Sequence, residues 1–328
     1  MSLGLSRAQV LAITGLSKHQ LYYRPKQSKR TFEVSQNTLF LPLESEMQIK
    51  VENSQVVERI ADIQADADLR CGYEKMTCQL QFLGFYINKK KVYRLMEENS
   101  LLYTSHRPSI LRTQYAQNRV LNPSRPLELI EMDIKHFWIE RDRKPVYVLT
   151  AIDTFTRVVL AKKVGFMMKS AQVAELWEEI MENHLEPHGM RGKAIKIEVR
   201  SDNGPQFKSA IIQEFFKENE LIQVFTHPYT PQENGHIESF HAILSNAVTE
   251  RFWTLQDLET RLNTFYETYN ERRVHHGTAL LPPKVFWKAW EQQLVAQKEK
   301  KTRHGNRFYL KKTRAEIRNI MFRTEHLA

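Results

Sequence analysis

The spacing of hydrophobic and polar residues changes near Leu127, and from there it predicts an alternating series of strands and helices. Three strands follow one another with short connections, as in an antiparallel meander: "LELIEMDIKHFWIE", "VYVLTAIDTF" and "RVVLAKKV". A helix, a strand that ends at Asp202, a second helix, a short strand and a helix from about Gly235 to Arg251 come next. This βββαβαβα order predicts a mixed sheet with helices on both faces.

The part of the chain before this change has a helical pattern. Residues 55–103 contain three amphipathic stretches, "QVVERIADIQADADL", "YEKMTCQLQFLG" and "NKKKVYRLMEENSLL", and Asn88 is placed to cap the last helix. We expect a compact helix-turn-helix domain here. Residues 1–30 are a second, basic helix-turn-helix-like segment with predicted helices "SRAQVLAI" and "KHQLYY"; a simple helical hairpin is the alternative.

The remaining segments connect or extend these domains. Residues 31–54 are polar and without a clear pattern, which predicts a linker, and residues 104–126 are a proline-punctuated, acid-free basic linker. The predicted core spans 127–252, and the amphipathic helices of residues 253–297 extend it. Residues 298–328 are assigned as a basic C-terminal tail.

Charge is distributed unevenly along the 328 residues, whose net charge is +10. Residues 1–30 carry six Lys or Arg and no acid, and residues 288–328 carry eleven against four, so the rest of the chain sums to −3. Basic ends around an acidic middle are typical of polyanion-binding segments that flank a carboxylate-bearing domain. No apolar run is long enough to cross a membrane and no secretory signal is present, so we expect an intracellular location.

The third helix of the 55–103 unit carries a basic first half. Four bases fall in its first two turns, Lys89, Lys90, Lys91 and Arg94, opposite an apolar face. This arrangement suits insertion of the helix into a DNA groove, and a solvated lysine face is the alternative. The two cysteines, Cys71 and Cys78, are too few for a disulfide framework or a four-cysteine zinc site.

Three carboxylates stand out by their positions in the predicted elements. Asp133 lies inside the first strand, Asp202 ends the fourth strand, and Glu238 lies in the first turns of the late helix. A buried carboxylate is costly unless a cation or a hydrogen-bond donor compensates its charge. The "DNGP" turn after the fourth strand has a purely local explanation as well, because Asp and Asn are common in turns.

Five local motifs, in this order, resemble the catalytic core that retroviral integrases share with many bacterial insertion-sequence transposases. They are "EMDIKH", "TAIDTFTR", "RSDNGPQF", "HPYTPQENGHIESFH" and "YNERRVHHGTALLPP". In that family two aspartates and a glutamate occupy the places of Asp133, Asp202 and Glu238, and 35 residues commonly separate the last two. Here residues 203–237, also 35, lie between them. The upstream "CGYEKMTCQLQFLGFYINKKKVYRLM" is similar to the helix-turn-helix of transposases encoded by a second reading frame.

The resemblance implies an α/β fold, in which an RNase H-like mixed-sheet catalytic core follows an all-α helix-turn-helix DNA-binding region. It also implies DDE polynucleotidyl transfer by a two-metal-ion mechanism. Asp133, Asp202 and Glu238 are then both catalytic residues and metal ligands. The expected cofactor is a pair of Mg²⁺ ions, for which Mn²⁺ substitutes, because both prefer oxygen ligands.

Other residues in these motifs have expected supporting roles. Asn203, Gly204, Asn234 and Gly235 are assigned to the two turns that present the carboxylates, and Asp153 to the turn toward Arg157. DNA contacts are expected from Gln206, His241, Arg272 and Arg273. The alternative for Gln206 is a role in local structure, and the alternative for His241 is an ordinary exposed histidine. For Arg272 and Arg273 the alternative is packing under the core. The chain departs from the family at Ser245, where these transposases usually carry Lys or Arg.

The leading hypothesis is a DNA transposase that cleaves and joins transposon-end DNA. Its expected partners are the terminal inverted repeats of its element, target DNA, further copies of itself on DNA and a protein from another reading frame. We expect it in the bacterial cytoplasm, at the nucleoid, with no membrane contact. The alternatives are an RNase H-like nuclease and a domesticated DNA-binding protein without catalysis.

Overall fold

The structure is a computed structural model that describes residues 7–15, 35–43, 45–103, 123–190, 196–226, 234–298 and 308–325. The chain divides into two compact units, residues 1–36 and 37–328. In the described part of the first unit, helix α1 (Arg7–Thr14) corresponds to the first of the two predicted N-terminal helices. The second predicted helix lies outside the described residues.

The second unit begins with a small domain of three helices and three short strands. The strands are β1 (Asn37–Phe40), β2 (Ile49–Glu52) and β3 (Phe85–Tyr86); the helices are α2 (Asn53–Ala65), α3 (Tyr73–Leu83) and α4 (Lys89–Glu98). Apolar side chains of all three helices form one core, which includes Ile60, Met76 and Val92. Asn88 caps α4 as expected, because its side chain accepts a hydrogen bond from the amide of Lys91.

The strands of this domain correct two sequence-based expectations. Residues 31–54 are not simply a linker, since β1 and β2 pair there as antiparallel strands, and β1 also pairs with β3. The region before the five-stranded core is therefore not all-α. Strands of four and two residues are too short to show alternation, and the partner of β1 lies more than forty residues away at Phe85 and Tyr86, so no local pattern reveals them.

A five-stranded mixed sheet organises the core, as the sequence predicts. Its strands are β4 (Leu129–Ile139), β5 (Lys144–Asp153), β6 (Val159–Gly165), β7 (Ile197–Ser201) and β8 (Leu221–Phe225). They lie in the order β6-β5-β4-β7-β8; β4, β5 and β6 pair antiparallel, whereas β7 pairs parallel with β4 and with β8. The fold is the expected α/β, RNase H-like architecture.

Helices cover both faces of this sheet. One face packs against α5 (Ser170–Ile180), its π-helical continuation Met181–Leu185, α6 (Pro205–Lys208) and α7 (Ala210–Glu218). The other face packs against α8 (Gly235–Ala247) and α9 (Leu255–Glu271). Side chains alternate along β4, so Met132 enters the first layer while Glu131 and Asp133 lie on the α8 side.

The C-terminal region is folded, which corrects its assignment as a basic tail. After a 3₁₀ turn (His276–Thr278) come α10 (Pro283–Glu291), β9 (Val295–Gln297), β10 (Phe308–Leu310) and α11 (Arg314–Glu325). Strands β9 and β10 pair antiparallel, and Ile317 and Met321 of α11 are buried in a cluster that includes Phe82 of α3. The segment follows a run of basic residues, and its apolar positions were not recognised as a helical pattern. Within the described ranges, no helix is long and apolar enough to cross a bilayer.

Candidate active site

Asp133 lies in the middle of β4, where its carboxylate faces α8. Its Oδ2 atom is 3.3 Å from Nδ1 of His241, one turn after Glu238 on that helix. The His241 side chain is only 11% exposed, so it is not an ordinary surface histidine, and its Nε2 atom has no hydrogen-bond partner within the described structure. His241 therefore contacts the first predicted metal ligand and holds its orientation on the side of α8.

Glu238 lies in the first turn of α8, close enough to Asp133 for their charges to interact. Burial raises the pKa of the Glu238 carboxyl, the nearby carboxylates of Asp133 and Glu131 raise it further, and His241 opposes the shift. Two or more anions that destabilise one another at a partly exposed edge constitute a site where a cation would be favoured. The strand and the late helix thus supply two of the three predicted ligands to one place.

Asp202 follows β7 directly, on the strand next to β4. The last residue pair of these parallel strands is Glu131 with Arg200, so Asp133 and Asp202 each lie two residues beyond it. Oδ1 of Asp202 accepts a hydrogen bond from the amide of Gly204 at 3.0 Å, which is a local turn contact, and the side chain is exposed. The register directs both strand ends to one edge of the sheet.

The described residues do not bring the three carboxylates to metal-binding distance. Across the described ranges, no three His, Cys, Asp or Glu side chains lie close enough together to hold an ion. The charge of Asp133 acts on Glu238, whereas the Asp202 carboxylate accepts a hydrogen bond from the Gly204 amide in its own turn. The donor set still fits a hard divalent cation, because all three side chains offer carboxylate oxygens and the charge of Asp133 helps to raise the pKa of Glu238.

Glu131 is a site residue that the sequence analysis missed. Its carboxylate is completely buried and accepts hydrogen bonds from the amides of His236 (3.0 Å) and Ile237 (2.8 Å) and from Nδ1 of His236 (2.8 Å). Burial raises the pKa of Glu131 to about 7, against the amide of Ile237 and the charges of Arg157 and Arg200. The available signal was a second acid two positions before Asp133, on the same face of a strand.

The expected supporting residues lie in the two turns. Nδ2 of Asn203 donates to the carbonyl of Thr226 at 2.7 Å, which ties the Asp202 turn to the end of β8. The side chain of Gln206 lies over Gly204, where an added Cβ would collide with it, so Gln206 has a local contact. Asn234 and Gly235 begin α8; Oδ1 of the buried Asn234 has no partner among the described atoms.

Asp153 stabilises the turn toward Arg157, as expected. Its buried carboxylate accepts hydrogen bonds from the Thr156 amide (2.8 Å) and hydroxyl (2.5 Å) and from the Leu127 amide (3.0 Å).

At Ser245, where the family carries a base, the hydroxyl donates to the carbonyl of His241 within α8. The Asp153 carboxylate and the Ser245 hydroxyl thus both make hydrogen bonds within the protein.

The four bases of α4 differ in their surroundings. Lys89 and Lys90 are exposed; Nζ of Lys89 lies 3.7 Å from the carboxylate of Glu74. Nζ of Lys91 donates to the carbonyl of Asn37 at 2.7 Å, and Nε of Arg94 lies 3.7 Å from Glu98. Lys89 and Lys90 are thus presented to solvent, while Lys91 and Arg94 are half-buried.

Arg272 and Arg273 differ in burial, because Arg272 is exposed and Arg273 is half-buried. The Arg272 side chain is exposed, and its carbonyl accepts from Nε2 of Gln79 at 2.9 Å. The Arg273 guanidinium donates to the carbonyl of Asp68, and burial lowers its pKa. Arg273 therefore joins the core to the helical domain, which fits the packing alternative. The DNA contacts of Arg272 and Arg273 stay predictions.

Comparisons with known proteins agree with this architecture. An integrase core domain profile matches residues 123–231, a second integrase core domain profile matches 220–283, and an HTH-like domain profile matches 51–109. A 39.2 kDa protein of insertion element IS476 from Xanthomonas euvesicatoria is 25% identical over 224 residues, which is 68% of this chain and 62% of that protein. The chain thus matches less than two thirds of that relative's length.

The chain is also similar to a second insertion-sequence protein and to a chain of a solved viral intasome. InsK of insertion sequence IS150 from Escherichia coli K12, whose name describes it as a transposase, is 24% identical over 272 residues, covering 79% of this chain and 92% of InsK. The simian T-cell lymphotropic virus intasome contains a chain that matches 70% of this one, with 74% of itself covered, at a TM-score of 0.43 and 16% identity. The profile matches show a region similar to integrase core domains at residues 123–283, preceded by a region similar to HTH-like domains at residues 51–109. Over most of its length the chain is similar to proteins of bacterial insertion sequences.

Proposed function

We propose that this chain is a DDE transposase that cleaves transposon-end DNA and joins the resulting 3′ ends to target DNA. The observation that carries the proposal is the placement of Asp133 against α8, where its carboxylate lies 3.3 Å from His241, one turn after Glu238. Strand β7 delivers Asp202 to the same edge of the sheet. The family matches support polynucleotidyl transfer as the reaction class. A site made of carboxylates from three elements suits this reaction, because a phosphodiester brings negative charge that only cations can offset.

Asp133, Asp202 and Glu238 would hold divalent ions, Mg²⁺ or Mn²⁺ in its place, two to a site. Such ions, when bound, activate water or a DNA 3′-hydroxyl and stabilise the departing oxygen. The protein's own part is to place the ligands: His241 orients Asp133 from one side, and the amide of Gly204 orients Asp202 from the other. Neither residue needs to form a covalent bond with DNA.

The helical domain would bind the terminal inverted repeats of the element. The sequence predicts boundaries of 55–103 for this domain, and β1 and β2 extend it to about residue 37. The basic linker 104–126, which lies largely outside the described residues, the core 127–252 and the extension 253–297 follow. Lys89 and Lys90 are the exposed bases of α4 and the favoured phosphate contacts. Handling two DNA ends and a target favours a homo-oligomer on DNA. A protein from another reading frame and a place at the bacterial nucleoid belong to the same proposal.

Strand transfer tests this function directly. Labelled element-end DNA, a supercoiled plasmid and Mg²⁺ or Mn²⁺ are incubated with the protein, and the products are resolved on sequencing gels. We expect metal-dependent nicking at the element end, followed by joined products whose junction links an element 3′ end to a plasmid 5′ phosphate. Cleavage of RNA–DNA hybrids without joining would favour the nuclease alternative. Binding without nicking, beside an active control transposase, would favour the DNA-binding protein.

DNA affinity should separate the exposed bases from the interior one. We expect Lys90→Ala to weaken binding several-fold and to lower the slope of log affinity against log salt by about 1, because one phosphate contact is lost. Arg273→Ala should instead lower the thermal midpoint, since it leaves the Asp68 carbonyl without its donor. Fluorescence anisotropy across a salt series measures the first effect, with exposed Lys144→Ala as the matched control. An unchanged salt slope for Lys90→Ala would contradict the phosphate contact.

A further inference from the structure

Strand β4 carries two carboxylates toward α8, and only one of them belongs to the proposed ligand set. Asp133 is 28% exposed on its side chain and faces the candidate site. Glu131, two residues earlier and on the same face of the strand, is completely buried and accepts the three hydrogen bonds from His236 and Ile237. The two carboxylates therefore share a rigid strand and contact the same helix at different places.

The hydrogen bonds of Glu131 close the amino end of α8. The side chain of Asn234 makes no capping hydrogen bond there, so the first-turn amides of His236 and Ile237 are satisfied by a residue 105 and 106 positions earlier in the chain. A carboxylate at this place also meets the positive end of the helix dipole. Arg157 and Arg200, from other elements, add favourable charge to the ionised form of Glu131.

The position of this contact matters because Ile237 directly precedes Glu238. The turn of helix that Glu131 holds is the turn that carries the third proposed ligand, and the strand that Glu131 lies on carries the first. We propose that Glu131 is a positioning residue, which sets the distance between Asp133 and Glu238 and thereby the affinity of the site for divalent cations. This inference rests on the proposed function and deepens it. Glu131 does not itself contact the substrate, because its oxygens are occupied by the helix.

Two substitutions weaken the contact in different ways. Glu131→Asp keeps the negative charge beside Arg157 and Arg200 but shortens the side chain by one methylene, so the carboxylate no longer reaches both amides. His236→Ala removes only the Nδ1 donor and leaves the buried charge in place. Glu128→Gln is the matched control, since Glu128 lies just before β4 and its carboxylate accepts hydrogen bonds from Ser124, away from α8.

Two measurements other than joining activity report on the proposal: hydrogen exchange of the amides at the start of α8, and the rise in thermal midpoint that Mn²⁺ produces. For Glu131→Asp we expect faster exchange of the His236 and Ile237 amides and an apparent Mn²⁺ affinity roughly tenfold lower, in line with other outer-shell substitutions. The Mn²⁺ concentration that half-activates strand transfer should rise by the same factor. His236→Ala should give a smaller shift in the same direction, and Glu128→Gln none.

The outcomes distinguish this inference from the proposed function. If Glu131→Asp and His236→Ala both speed exchange at the start of α8 but respond to Mn²⁺ like the wild type, Glu131 is a helix cap only and the inference is wrong. If Glu131→Asp fails to fold, the amide exchange and Mn²⁺ response of His236→Ala alone test the inference by the same criterion. If the wild type itself neither binds Mn²⁺ nor joins DNA, the proposed function fails before any variant is compared.

Discussion

Replacing Glu238 by Gln is expected to abolish strand transfer while leaving the protein folded and bound to DNA. The amide cannot supply the negative charge that the proposed ions require, and the loss should be at least on the order of a hundredfold to a thousandfold in rate, as for other essential electrostatic groups. Thermal stability should stay equal or rise. Burial and the neighbouring carboxylates raise the pKa of Glu238, so its ionised form costs stability in the metal-free protein.

The control for Glu238→Gln is a variant that loses a carboxylate far from the candidate site. Glu267→Gln makes the same chemical change at an exposed position of α9 and should leave joining unchanged. Rates of joining, DNA affinity and thermal midpoints are measured for the wild type and both variants. A Glu238→Gln protein that joins DNA within a few-fold of the wild-type rate would remove this residue from the catalytic set.

The second large effect is expected for the C-terminal helix, from Arg318→Met. Arg318 is buried, and its Nη2 atom donates to the carbonyl of Leu41 at 2.9 Å while Nη1 donates to the carbonyl of Leu83. The substitution introduces an apolar side chain of similar length and removes the guanidinium donors of both carbonyls. Each such group costs about 1–3 kcal/mol, so we expect the free energy of unfolding to fall by about 2–4 kcal/mol.

Urea unfolding, followed by tryptophan fluorescence and by far-UV circular dichroism, measures this loss. Lys312→Met is the control, because Lys312 is exposed just before α11 and the same substitution there should change the stability little. The helical domain and α11 should unfold together. If Arg318→Met unfolds at the wild-type urea concentration, α11 does not stabilise the helical domain, and the region behaves as the tail that the sequence suggested.

The core was predictable because its signals are local. Alternation along β4 and β5, the abrupt turn after Asp202 and the amphipathic stripe of α9 each lie within about a dozen residues. The order of elements and the places of Asp133, Asp202 and Glu238 in them follow from these signals. The structure agrees with each placement, although only Asp133 and Glu238 are recorded as interacting.

The rest depends on contacts between residues that are distant in sequence. Glu131 contacts amides 105 and 106 positions away, and Arg318 contacts a carbonyl 277 positions away. The side chain of Arg273 is directed inward by Asp68, 205 residues earlier. From the sequence alone, a basic residue is predicted to lie at the surface. Burial of a guanidinium requires carbonyl acceptors, and only the folded chain brings these close to it. That is why the predicted basic tail contains a packed helix and why Arg273 makes a contact within the protein.

The central claim is that Asp133, Asp202 and Glu238 together hold the divalent ions that act on DNA. Crystals of the wild-type protein bound to element-end DNA, grown with Mn²⁺, allow the ions to be located by anomalous scattering. We predict anomalous peaks coordinated by oxygen atoms of all three carboxylates and by the phosphate at the element end. Peaks elsewhere, or an ion bound by Asp133 and Glu238 without any oxygen atom of Asp202 among its ligands, would contradict the three-carboxylate site.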